Sequence, residues 1–122
     1  LTYKWKPLQF NTYQSFVWQT EALLSHATIG GANDVDSWGM YTAMTYQIEK
    51  RYFLTGRFDY SNLPFDASVA ERAVSATLGW YATEFQKIEI EGKRTTSNVA
   101  PDYSQAWLRW IFVIGAHGAH AY

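Results

Sequence analysis

SWGMYTAMTYQIE, residues 37–49, is the stretch on which the fold turns. Trp38, Met40, Thr42, Met44, Tyr46 and Ile48 occupy its even positions, and Gly39, Tyr41, Ala43, Thr45, Gln47 and Glu49 its odd ones. Successive side chains of a β-strand point to opposite faces, so this segment reads as a strand with one oily face and one wetter face. No helical period competes with that alternation.

The same period recurs on both sides. In 52–62, Tyr52, Leu54, Gly56, Phe58 and Tyr60 oppose Phe53, Thr55, Arg57, Asp59 and Ser61. In 72–82, Val74, Ala76, Leu78 and Trp80 oppose Ser75, Thr77, Gly79 and Tyr81. In 87–94, Ile88 and Ile90 oppose Lys87, Glu89, Glu91 and Lys93, and in 105–115, Leu108, Trp110, Phe112 and Ile114 oppose Arg109, Ile111 and Val113. Residues 15–24 and 1–6 are weaker strands of the same kind. The reading is all-β: an antiparallel up-and-down meander of about seven strands. Most are near the roughly 9–11 residues with which a tilted strand crosses a bilayer. No linker, repeat or low-complexity run interrupts 1–122, which we read as one unit.

Composition narrows the class. The chain has 122 residues, a net charge of −1 and no cysteine, which excludes disulfide frameworks and thiolate metal sites. Its cations are not clustered, so nucleic acid is not an expected partner. Aromatics make up 18% of the residues, yet the mean hydropathy lies on the polar side of neutral. Many aromatics without overall hydrophobicity is the balance expected of a barrel wall between lipid and water. No run approaches the roughly 18–20 apolar residues of a transmembrane helix.

Connections add a second signal. Those at 50–52 and 83–87 are short, while 25–36, 62–71 and 95–103 read as long loops rich in Gly, Asn, Asp and Pro, and 7–13 is intermediate. Outer-membrane barrels keep short turns on the periplasmic side and longer loops outside. A soluble meander has no reason to sort its loops in this way. The competing reading is a soluble or adhesive antiparallel sheet with a binding face.

Closing a hairpin at Glu49 and Phe53 predicts Tyr46 opposite Gly56, Met44 opposite Phe58 and Thr42 opposite Tyr60. On the other face it predicts Thr45 opposite Arg57 and Gln47 opposite Thr55. The next hairpin would set Trp80 against Ile90 and Tyr81 against Glu89.

Three groups of candidate residues follow. Trp38, Met44, Tyr46, Tyr52, Phe58, Tyr60, Trp80, Trp110 and Phe112 would face lipid, with the aromatics near the interfaces as girdles. Arg57, Asp59, Lys87, Glu89, Glu91, Lys93 and Arg109 would line a hydrated lumen. The histidines His117 and His120 are spaced to share a metal, but zinc generally needs three or four ligands. The remaining histidine, His26, falls in or beside a distant loop, so we expect no metal. No nucleophile stands beside a base, and Gly30-Gly31 does not open a helix as a phosphate loop would. We expect no enzyme and no cofactor.

The segment 107–115, closing on Tyr122, resembles the C-terminal strand of Gram-negative outer-membrane proteins. Tyr122 shares the parity of Leu108, Trp110, Phe112 and Ile114, as that strand's signal requires. Residues 114–122 look like the ending of large proteobacterial barrels, porin-like or similar to TonB-dependent receptors. Residues 80–88 look like their last periplasmic turn, and 57–61 like one of their strand ends. The tail after Gly115 runs past the usual end of such a strand, and no plug domain or energy-coupling motif is present. The resemblance implies a bacterial outer-membrane location and a channel or uptake receptor for small solutes. It also implies that Leu108, Trp110, Phe112, Ile114 and Tyr122 form a signal read by the barrel-assembly machinery. Bacterial barrels close with an even number of strands. An odd count therefore predicts further strands N-terminal to Leu1, with outer-membrane lipid around the wall.

Overall fold

Alternating β-branched and aromatic side chains favour the extended chain, and the backbone follows them throughout. The computed structural model describes residues 1–7, 13–29, 33–64 and 66–114. The strands are β1 (Thr2–Trp5), β2 (Ser15–Ile29), β3 (Asn33–Glu49), β4 (Tyr52–Leu63), β5 (Asp66–Thr83), β6 (Gln86–Ser97) and β7 (Tyr103–Phe112). They pair in chain order as one antiparallel sheet of seven strands. β1 and β7 do not pair with each other, so the sheet is open.

Strand ends differ from the sequence reading on one side of the sheet. The stretch 25–36, expected to be a long loop, is mostly paired: Ser25 faces Ser37, His26 faces Asp36 and Thr28 faces Asp34. Polar residues read as loop markers instead bond across the ladder, with His26 Nδ1 2.6 Å from Asp36 Oδ1 and Thr28 Oγ1 donating to Asp34 Oδ1 at 2.8 Å. This ribbon passes beyond the last β3–β4 pair, Gly39 with Ser61, and forms a projecting arm. Similarly, 62–71 is largely strand. Ser68 donates from its amide (3.0 Å) and hydroxyl (2.6 Å) to Asp66 Oδ1, and Asn62 Nδ2 donates to the Ala67 carbonyl at 2.9 Å. Those two hydroxyl and amide bonds hold the Asp66 carboxyl below the usual carboxylate range. The 95–103 connection shortens because β6 continues to Ser97. The expected difference between the two sides persists as longer hairpins at β2–β3 and β4–β5, and as a longer connection, 98–102, at β6–β7. The short turns at 50–51 and 84–85 are as expected.

Register also differs. Met44, not Tyr46, faces Gly56; Thr42 faces Phe58; Met40 faces Tyr60. Thr45 meets Thr55 instead of Arg57, and Gln47 meets Phe53 instead of Thr55. Trp80 faces Ile88 and Tyr81 faces Lys87, not Ile90 and Glu89. The cause is local: the β3–β4 hairpin closes at Glu49 and Tyr52 and then shifts at a bulge between Gln47 and Glu49, and a similar shift lies between Tyr81 and Thr83. An extra residue at a bulge resets all downstream pairs. Because each partner moved by two positions, every side chain kept its face.

One complete row shows the result. Trp5, Phe16, Tyr46, Leu54, Leu78, Ile90 and Leu108 are successive cross-strand partners over all the strands. They lie on one face, and no second layer covers it among the described residues. Leu54, Leu78, Ile90 and Leu108 are all exposed. The buried residues Ser37, Ala73, Ser75, Gly79 and Thr95 all belong to the opposite face. Burial is thus inverted relative to a water-soluble sheet, with the oily side open and the polar side partly enclosed.

Candidate functional site

Odd-numbered residues of β3–β7 share the polar face, because away from the register shifts beside the hairpin turns each register pairs odd with odd. Arg57, Ser75, Lys93 and Gln105 form one row across β4–β7, and Thr55, Thr77, Glu91 and Trp107 the next. A third runs Phe53, Gly79, Glu89, Arg109. The long side chains of these rows border an open concavity of about 400 Å³ lined by Thr55, Arg57, Asp59, Ser75, Thr77 and residues of β6 and β7. Ala73, Ser75 and Gly79 are buried on this face, Gly79 beneath the side chains of Lys87 and Glu89.

The expected lumen residues Arg57, Asp59, Lys87, Glu89, Glu91, Lys93 and Arg109 therefore stand on one surface, and most are joined. Arg57 Nε reaches both carboxylate oxygens of Asp59 at 2.8 and 3.0 Å, and its Nη2 donates to Oδ1 at 2.6 Å. Its guanidinium also lies 4.2 Å from the centroid of the Tyr41 ring, a cation–π contact. Glu89 binds two cations: Lys87 Nζ at 2.5 Å on its own strand, and Arg109 Nε at 3.4 Å on β7. Arg109 Nη2 also donates to Glu91. Lys87 Nζ lies 5.0 Å from the Tyr81 ring centroid. Lys93 alone of the seven makes no ion pair among the described residues.

Hydroxyls complete the surface. Thr45 and Thr55 share a hydrogen bond at 2.9 Å across β3 and β4. Tyr41, Thr55, Ser75 and Thr77 were not singled out from the sequence as site residues. Their odd parity was the available signal, since it placed them beside Arg57. Chemically the surface can hold water and polar solutes through hydroxyls, paired ions and one unpaired ammonium. Among the described residues, no group of three or more His, Cys, Asp or Glu is arranged to hold a metal.

On the other face, Trp38 packs against Tyr60 at a tilt with ring centroids 4.6 Å apart, and Tyr52 lies nearly parallel to Trp80 at 6.5 Å. These pairs sit at opposite ends of the apolar band. Met44, Tyr46, Trp110 and Phe112 are exposed on the same face, and Phe58 and Tyr60 are half-buried. Leu108, Trp110 and Phe112 project from the edge strand β7, whereas Ile114 lies beyond its end. Tyr122, His117 and His120 lie outside the described residues. Comparison with known proteins finds no matching family model, curated protein or solved structure.

Proposed function

We propose that the chain is a wall segment of an outer-membrane β-barrel, a channel or uptake receptor that moves small solutes across the bacterial outer membrane. One observation carries the reading: a seven-strand sheet leaves a continuous apolar face uncovered while its charged residues pair with one another on the concave side. Each apolar side chain left in water forgoes about 1.5–3 kcal/mol of burial. A face of this extent needs an apolar cover, and hydrocarbon supplies it. The aromatic pairs Trp38–Tyr60 and Tyr52–Trp80 bracket the band as interfacial girdles would. The residues between them, 52–60 on β4 and 72–80 on β5, are about nine long, close to the 9–11 of a membrane-crossing strand. The free edges of β1 and β7 fit the same reading, because unpaired backbone groups in lipid cost several kcal/mol each and further strands of the same barrel would satisfy them. In this reading the outer side chains of β7 are what the assembly machinery recognises.

The test is dependence on detergent. The intact protein should be extracted from membranes only by detergent and should aggregate when it is removed. Purified protein that stays monodisperse without detergent would replace this reading with a soluble or adhesive sheet. Insertion into planar bilayers without any conductance would leave a wall and no pore.

A further inference from the structure

Charge on the apolar face is confined to one place within the band. Between the Tyr52–Trp80 end and the Trp38–Tyr60 end, the even-numbered positions of β3–β7 carry no charged side chain until Arg72 on β5 and Arg94 on β6. Arg72 shares its row with Tyr60 and Thr96, and Arg94 with Val74 and Ser104. The two arginines are therefore diagonal neighbours on adjacent strands, roughly 7–8 Å apart at their bases. Arg72 rests its guanidinium 5.8 Å from the Tyr60 ring centroid and has no carboxylate partner among the described residues. Arg94 Nη2 lies 3.2 Å from Asp102 Oδ2 in the following turn, and 68% of its side chain is exposed.

On a lipid-facing wall, an arginine costs about 2–4 kcal/mol at the bilayer midplane and about 0–1 kcal/mol near an interface. Arg72 stands in the Tyr60 girdle row and Arg94 one row inside it, both on the interfacial side of the Gly56–Ala76 row at mid-band, so the cost falls toward the low end of that range. There, a guanidinium fork matches the oxygens of a phosphate. We propose that Arg72 and Arg94 form a site for the phosphate headgroup of an anionic lipid in the leaflet on the arm side of the sheet. Its acyl chains lie over Val74, Leu78 and Ile90 on the same face. Arg72 supplies the uncompensated charge, and Arg94, held by Asp102, supplies orientation. The site rests on the membrane reading above.

The experiment inserts the intact protein into two kinds of vesicle, pure phosphatidylcholine and an equal mixture of phosphatidylcholine and phosphatidylglycerol. Insertion is read by co-sedimentation, and retained lipid by native mass spectrometry. Phosphatidylglycerol should be retained about 5-fold or more over phosphatidylcholine, the factor that one arginine at an anionic surface supplies. The R72Q/R94Q variant should insert equally well and lose that preference, while R72K/R94K should keep part of it. Inserted wild-type protein without a preference, or a glutamine variant that retains it, overturns the site and leaves the membrane reading standing. Failure to insert into either vesicle overturns the membrane reading and the site with it.

Discussion

Glu89 on β6 sits directly across the ladder from Arg109 on β7, with its Oε2 3.4 Å from Arg109 Nε. The same carboxylate holds Lys87 through its other oxygen. Glu89 thus shares with Glu91 the task of tying the edge strand to the sheet from the polar side, and only 13% of its side chain is exposed.

Replacing it tests that tie. Glu89→Gln keeps the shape and removes the charge, leaving two cations with one carboxylate, Glu91, nearby. We expect a loss of about 1–2 kcal/mol, between the values for exposed and buried pairs. The measurement is the urea midpoint of the protein in detergent micelles. A midpoint unchanged within error means the pair contributes nothing to holding β7.

Adjacent positions separate the two faces. Met44→Lys, Leu78→Lys and Phe112→Lys combined should abolish stable membrane insertion, since a lysine on the lipid side costs about 2–4 kcal/mol at the midplane, where Met44 pairs with Gly56, and progressively less toward the interface, where Leu78 and Phe112 stand. Thr45→Lys and Thr77→Lys, one residue away on the polar face, should insert normally. Equal heat resistance of both variants in native membranes would show that the even-numbered face does not meet hydrocarbon.

Glycines supply a packing test. A Cβ at Gly39 would meet the Tyr60 carbonyl oxygen and Ser61 Oγ, each at 3.3 Å, whereas one at Gly92 meets nothing within 4 Å. Gly39→Val should therefore cost about 1–3 kcal/mol through crowding against backbone. Gly92→Val should be neutral or slightly stabilising, because valine favours strands. Paired denaturation curves decide it, and a larger loss at Gly92 than at Gly39 contradicts this packing.

The tip of the β4–β5 hairpin should respond to acid. Ser68 lowers the Asp66 carboxyl, so the turn's bonds favour the ionised form and are fully present above the ordinary carboxylate value of about 3.9. They are lost as pH falls through the lowered folded value. The Ser68 amide should exchange faster with solvent only in that acidic window. Loss of protection nearer neutrality would mean that Asp66 is not the group responsible.

Face assignment was legible from single strands. Side-chain parity is a property of the extended backbone itself, so Met44, Leu78 and Phe112 on one side and Thr45, Glu89 and Arg109 on the other followed from position alone. That was enough for an all-β antiparallel meander and for the placement of all seven lumen candidates on one surface. Partners were not legible in the same way. Whether Gly56 meets Met44 or Tyr46 depends on the hairpin closing at Glu49 and Tyr52 and on the bulge beside it, and a slip of two residues leaves the face pattern untouched. The same applies to 25–36, where the loop signal of Asp34 and Asp36 was outweighed by cross-strand bonds to Thr28 and His26. Sequence alone determined which solvent each side chain is suited to, because alternation is local. Only the tertiary structure decided that Glu89 would share Arg109 and Lys87, that Lys93 would stand unpaired among the described residues, and that Arg72 and Arg94 would stand diagonally on adjacent strands, because those relationships depend on how separate strands are brought into register.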